Sequence, residues 1–189
     1  AADGARGVHI GDLDGDGDLD FASASTNDNE IAWYENDGAA DPTFSRTIIA
    51  TSANSARDIN IGDLDGDGDL DIISTSLGDQ TVAWYENNGA ANPTFTAADI
   101  SVNAGWPWDI EIADIDNDGD LDFVFADEGN RTNNIHGSSD TWSNNGSEGR
   151  VIWYENDGAA NPTWSSNVIS TSPGVSTQDV HIVDIDNDG

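Results

Sequence analysis

Cysteine and methionine are both absent from this chain of 189 residues, and only 5 residues are Lys or Arg. Without cysteine there is no disulfide and no thiolate metal site. No methionine stands at position 1, so residue 1 is expected not to be an unprocessed translation start, and the chain reads as a mature product or an excerpt of something longer. Long apolar runs are missing too: none approaches the roughly 20 residues of a membrane-spanning helix, and no signal peptide is visible. Membrane insertion is therefore not expected. Against so few cations stand 37 Asp and Glu, for a formal charge of -32. Such a field repels nucleic acid and anionic lipid and attracts cations, so nucleic acid is not an expected partner.

Acidity here does not mean disorder. Hydrophobic residues make up 36% of the chain, and they recur in short, regularly spaced runs, which describes a folded acidic protein and not an acidic tail. The regularity is a repeat. "GDLDGDGDLD" fills positions 11–20 and returns at 62–71, and related aspartate clusters begin at Asp114 and Asp184. A second landmark keeps the same step: "AWYENDGAADPTF" from Ala32, "AWYENNGAANPTF" from Ala83 and "IWYENDGAANPTW" from Ile152. The repeats divide the chain into units 1–51, 52–102 and 103–172, with 173–189 beginning a fourth. The third unit is longer because an Asn/Ser/Gly-rich stretch at about 129–149, without periodicity, reads as an inserted surface loop.

Each unit carries four short apolar segments. The first is "GVHIGD" at 7–12, with counterparts "DINIGD", "DIEIAD" and "DVHIVD"; the second follows the aspartate cluster from Leu19, Leu70 or Leu121. The third contains Trp33, Trp84 or Trp153 and ends in Asp-Gly or Asn-Gly, a strong turn signal. The fourth runs through "FSRTIIA", "FTAADIS" or "WSSNVIS". Four-stranded units of this length without helices predict an all-β fold of β-propeller blades or a β-solenoid. Tight turns between successive strands favour antiparallel blades: three complete, plus the first strand and partial aspartate loop of a fourth. Because one blade cannot bury both faces by itself, the terminal blades are expected to present sticky faces.

Numbered from its first aspartate, loop one places carboxylates at positions 1, 3, 5 and 9 (Asp12, Asp14, Asp16, Asp20), with Gly17 at position 6. Alternate oxygens, a backbone carbonyl at position 7 (Asp18) and a glycine for the sharp turn are the pattern of a calcium loop of EF-hand type. An all-oxygen donor set selects a hard cation, and calcium tolerates a crowded irregular cage better than magnesium. Loop two supplies Asp63, Asp65, Asp67 and Asp71 with the carbonyl of Asp69. Loop three supplies Asp114, Asp116, Asp118 and Asp122 with the carbonyl of Asp120. The fourth has Asp184, Asp186 and Asp188. One Ca2+ is expected per complete loop, three in all, and a fourth if the last loop is completed. No flanking helix and no glutamate at position 12 accompany these loops, so they are not helix-loop-helix sensors, and the side chains of Asp18, Asp69 and Asp120 are expected to face solvent.

On "GDLDGDGDLD" and the "AWYENDG" strand, the unit resembles the FG-GAP or VCBS-type repeat of calcium-binding propellers, a family that includes integrin α-subunit heads and many large secreted bacterial proteins. The likeness covers the whole chain apart from the insert. It implies a β-propeller, calcium in the hairpin between strands one and two, and an extracellular location. It implies no single activity, since adhesins, lectins and non-catalytic parts of enzymes share the repeat.

In an antiparallel blade the aspartate loops and the "NDGAADPT" turns share one face, while the insert and the linker "AGWPWD" share the other. That second face holds Trp106, Trp108 and Trp142, which do not recur from unit to unit. Exposed rings there would suit a glycan or a protein partner; alternatively Trp106 and Trp108 pack beneath the insert. The recurring Trp33, Trp84 and Trp153 read as core. Asn130 and Asn145 match the N-glycosylation acceptor pattern. His9 and His181 occupy equivalent strand-one positions and read as polar channel lining. No catalytic motif stands out, and the carboxylates recur in every unit, whereas a catalytic pair is a single event; the protein reads as non-catalytic. The expected role is an extracellular, calcium-stabilised structural or adhesive module whose partners are further repeats or other copies of the chain. The alternatives are a lectin-like propeller binding glycans or a cell-surface protein, and an accessory domain of a polysaccharide-degrading enzyme.

Overall fold

The computed structural model describes residues 2–101, 104–129, 149–172 and 177–185. Among them are twelve strands and no helix. The first sheet contains β1 (Ala5–Gly11), β2 (Asp20–Ser25), β3 (Glu30–Asn36) and β4 (Phe44–Ala50), and the second β5 (Ala56–Gly62), β6 (Asp71–Ser76), β7 (Thr81–Asn87) and β8 (Phe95–Ser101). The third contains β9 (Pro107–Ala113), β10 (Asp122–Asp127), β11 (Gly149–Asn156) and β12 (Trp164–Ser172). Each sheet is an antiparallel meander in chain order, as expected for blades of β-propeller type. Strand two begins at Asp20, one residue later than the apolar pattern suggests, because Leu19 is still outside the pairing and exposed.

Directly opposed residues of an antiparallel sheet share a face, and in each blade that sorting produces two unlike surfaces. On the first blade Ala22, Ala24, Ile31 and Trp33 point toward the second blade, where they bury against Ile59, Ile72, Ala83 and Tyr85. The second blade repeats the arrangement with Ile73, Val82 and Trp84 against Ile110, Phe123, Phe125 and Ile152 of the third. The core therefore lies between blades, not within them. Burying each of the larger of these side chains, such as Ile31, Ile59, Ile72 or Phe123, contributes about 1.5–3 kcal/mol, so the blades depend on one another for stability. A register shift between β3 and β4 recurs in the other two blades; the bulged residues Ile49 and Ile100 are thereby turned onto the neighbouring core.

The inner strands lie side by side and are laced by polar contacts. His9 Nδ1 accepts from Ile61 N (3.0 Å), Asp58 Oδ2 from Ile110 N (3.0 Å), and Asp109 Oδ2 from Val180 N (2.8 Å). Gly7 stands where the next blades carry Asp58 and Asp109, and a Cβ at Gly7 would lie 2.7 Å from Asp58 Oδ1. The histidine expected to line the channel thus hydrogen-bonds the next blade's backbone.

Like sequence does not give like burial at the end of the stack. Val8 is 58% exposed while its counterpart Ile59 is 3% exposed. Ile10, Phe44 and Ile48 are exposed on the same first-blade face, beside Phe21 stacked on Tyr34 at 4.4 Å. The apolar surface expected at the terminal blade is present there.

Candidate metal centre

Each aspartate loop is a hairpin between strands one and two, closed by its own backbone. In loop one Gly17 N donates to Asp12 Oδ2 (3.0 Å), Asp16 N to Asp14 Oδ1 (3.2 Å) and Asp18 N to Asp16 Oδ1 (2.9 Å). Loop two reproduces all three bonds with Gly68, Asp67 and Asp69. The glycine at position 6 has φ of +95° in loop one, +98° in loop two and +101° in loop three, a region that side chains avoid, and this is why the repeat needs glycine there. At position 4 the third loop has Asn117 at φ 61° in place of Gly15 or Gly66, and asparagine tolerates that conformation.

The loops bring carboxylate oxygens within 4.8 Å of one another: Asp12, Asp14 and Asp20 in loop one; Asp63, Asp65 and Asp67 in loop two; Asp114, Asp116 and Asp118 in loop three. Position 1 and position 3 belong to all three groups; position 5 joins in the second and third loops and position 9 only in the first. Crowding has a cost. The carboxyls of Asp14, Asp65 and Asp116 are held above the ordinary aspartate range, first by desolvation and then by neighbouring carboxylates, against backbone N–H donors that pull the other way. Asp12 Oδ1 and Asp63 Oδ1 are buried and accept no hydrogen bond. A buried anionic oxygen without a partner is costly, and a cation among these oxygens would remove both the orphaned acceptor and the repulsion. Residues and geometry therefore fit a hard divalent ion in loops one and two. In loop three Asp114 accepts from Asp118 N through Oδ1 and from Gly119 N through Oδ2, both at 3.1 Å, which leaves the same all-oxygen set with its first carboxylate already engaged. Asp184 begins a fourth loop; Asp186 and Asp188 lie outside the described residues.

Position 9 has a second role that the spacing alone did not disclose. Asp20, Asp71 and Asp122 are each at most 1% exposed. Asp20 Oδ2 accepts from Leu13 N and from the Trp33 indole Nε1 (both 3.1 Å), and Oδ1 from Asn36 N (2.8 Å). Asp122 does the same with Ile115 N, Trp153 Nε1 and Asn156 N. Asp71 binds Leu64 N and Asn87 N; the Trp84 indole steadies its charge from outside good hydrogen-bond geometry, and burial nonetheless pushes its pKa up to about 7. Trp33 and Trp84 are core residues, as expected, whereas Trp153 is only half-buried and stands outside the two core clusters; Trp33 and Trp153 also anchor their loops through this carboxylate.

Asp18, Asp69 and Asp120 correct the expectation of solvent-facing side chains. Each is half-buried, and each carboxylate rests on the glycine of the strand three to four turn. A Cβ at Gly38, Gly89 or Gly158 would overlap Asp18, Asp69 or Asp120 respectively. The two turns of a blade thus share a face and touch, which explains the glycine after "ND" or "NN" in every repeat. Sequence reasoning also missed Asn36, Asn87 and Asn156, the last residues of strand three, whose Nδ2 groups bond the carbonyls of Leu19, Leu70 and Leu121.

On the opposite face, the Trp108 ring is covered by the Arg57 guanidinium, 3.6 Å from its centroid, and its Nε1 donates to the buried Glu128 (2.8 Å). Trp106 N donates to Asp127 Oδ1 (2.9 Å), and Trp106 O accepts from Glu128 N (3.0 Å). Asp127 is paired with Arg150, so an ion pair joins the two strands that flank the insert. Trp142, Asn130 and Asn145 lie outside the described residues. His181 Nδ1 is 3.1 Å from Glu111 Oε1, and Asp109, Asp179 and His181 converge to within 4.8 Å. Burial, then hydrogen bonding to Asp58 and Asp179, raises the Asp109 carboxyl to about 7 against the Val180 N–H that opposes it.

A family model described as FG-GAP-like repeat matches residues 12–74 and 64–125. The two matches overlap into one span that contains all three complete aspartate loops and covers more than half of the chain. No match to the chain was found among curated proteins.

Proposed function

This chain belongs to the FG-GAP-like repeat family, and from that premise we propose that it is an extracellular calcium-binding repeat module with a structural or adhesive role. The observation that carries the proposal is the pair of buried, unpartnered oxygens, Asp12 Oδ1 and Asp63 Oδ1, inside clusters of carboxylates in two loops closed by the same three backbone hydrogen bonds. In each loop positions 1, 3, 5 and 9 and the position 7 carbonyl would hold the ion. Calcium would supply charge neutralisation and rigid closure of the hairpin, not reaction chemistry, and the module is read as non-catalytic.

Support for an assembly role comes from the open face of the first blade. Val8, Ile10, Phe44 and Ile48 lie exposed where the equivalent face of the second blade is covered, and further blades, from the same polypeptide or a neighbouring copy, would cover it. No helix of the described residues is long and apolar enough to cross a membrane. A lectin-like use of the tryptophan face is less well supported, because Arg57 already occupies one face of Trp108.

Equilibrium dialysis of the 189-residue chain tests the calcium reading. The expected result is three calcium ions per chain, with dissociation constants of about 0.1–1 mM, the range of extracellular modules, and no displacement by equimolar magnesium. Binding of no calcium in that range would remove the basis of the proposal.

A further inference from the structure

The three complete loops are alike in sequence, but loops one and two are not closed by their own blade alone. Asn87, at the end of β7 in the second blade, donates from Nδ2 to the carbonyl of Leu13 at 2.8 Å, and Leu13 is position 2 of the loop in the first blade. Asn156, at the end of β11 in the third blade, donates in the same way to the carbonyl of Leu64 at 2.8 Å, position 2 of the loop in the second blade. The contacts link residues 74 and 92 positions apart in the chain. Both asparagines are nearly inaccessible, 2% and 3% exposed, as are Leu13 and Leu64 at 2% and 1%. Each amide also holds the carbonyl before position 9 of its own loop, Leu70 at 3.0 Å and Leu121 at 3.1 Å. One side chain therefore fastens two successive loops. Asn36 of the first blade has the same bond to its own loop, to Leu19 at 3.0 Å, and no earlier loop precedes it in this sequence.

We infer that Asn87 and Asn156 are positioning residues for cation binding in the preceding blade, so that each of loops one and two is a two-blade site whose calcium affinity depends on blade stacking. The inference rests on the reading that the loops bind calcium. Position 2 lies between the first two ligand positions, Asp12 and Asp14 or Asp63 and Asp65. Fixing its carbonyl from outside restricts the backbone that aims those carboxylates, and pre-arranged ligands lose less conformational freedom when an ion binds. The groove between the two blades is lined by ligands of one loop and by the next blade's hairpins: Asp63, Asp65, Asp120, Asn156 and Gly158 all border it. Two orphaned ligand oxygens, those of Asp12 and Asp63, belong to the two loops whose position 2 carbonyl accepts from an asparagine of the next blade.

Hydrogen–deuterium exchange across a calcium titration, followed by mass spectrometry of peptides containing Gly17, Gly68 and Gly119, separates the loops within one intact chain. Loss of one buried hydrogen bond corresponds to roughly a three- to tenfold weaker site. Asn87→Ala is expected to raise the calcium concentration for half-protection by that factor in loops one and two and to leave loop three unchanged. Asn156→Ala is expected to do so in loops two and three and to leave loop one unchanged. Asn36→Ala, which removes the same bonds within a blade but no bond between blades, should shift loop one only. A shift confined to the substituted residue's own blade in Asn87→Ala and Asn156→Ala would overturn the inference and leave calcium binding standing. If calcium protects no loop of the unsubstituted chain, both the inference and the reading beneath it fall. Should an alanine variant lose protection in every blade, Asn→Ser at that position, too short to reach Leu13 or Leu64, takes its place with the same outcomes.

Discussion

Chelation by EDTA should lower the melting temperature of the calcium-loaded protein by roughly 8–16 °C. At a tenfold excess over the dissociation constant, each calcium site adds about 1.4 kcal/mol by mass action, and three sites about 4 kcal/mol. For a chain of this size each kcal/mol moves the midpoint by about 2–4 °C. The physical source is visible in the loops. Desolvation and mutual repulsion already push Asp14, Asp65 and Asp116 above the usual carboxylate range, and Asp12 and Asp63 each bury an oxygen that nothing binds. These costs remain in the apo state and vanish when an ion sits among the oxygens. No disulfide is available to take over the role. The measurement is a pair of thermal scans by circular dichroism, in calcium and in EDTA, and superimposable scans would contradict the account.

Asp20→Ala should destabilise the protein by about 3–5 kcal/mol even in EDTA, whereas Asp16→Ala should cost less than about 1 kcal/mol under the same conditions. The aspartate spacing makes both residues calcium ligands, so a pure ligand model gives them equal weight and, without calcium, little of it. The structure separates them. Asp20 is 1% exposed and accepts from Leu13 N, Trp33 Nε1 and Asn36 N; its removal leaves two buried donors and one half-buried donor unsatisfied, the buried ones costing about 1–3 kcal/mol each less whatever relaxation recovers. Asp16 is exposed and, among the described residues, accepts a hydrogen bond from Asp18 N alone, at 2.9 Å. Urea unfolding in EDTA measures both variants. Comparable losses in the two would show that position 9 is no more than a ligand.

Periodicity revealed much of this molecule because the repeat is its own internal standard. Runs such as "FSRTIIA" and "AWYEN" coincide with β4 and β3, and the aspartate spacing located all three loops. What was not legible depends on partners distant in sequence. Val8 and Ile59 look alike in their strands, yet one faces an open surface and the other a neighbouring blade. Asp18 reads as an exposed turn residue until the turn containing Gly38 is folded against it. Asn87 stands in the sequence as the residue before the Asn88-Gly89 turn, and only the stacking of blades brings it to Leu13. Tryptophans that pattern identifies as core also donate to a buried carboxylate, because a large apolar ring with one N–H can satisfy both demands at once.

The most direct measurement is a crystal structure determined in millimolar calcium, with anomalous scattering used to locate the ion. One calcium is expected in each of the three complete loops, bound by the carboxylates at positions 1, 3, 5 and 9 and the carbonyl of Asp18, Asp69 or Asp120. Ordered hairpins around cages that contain no ion would contradict it.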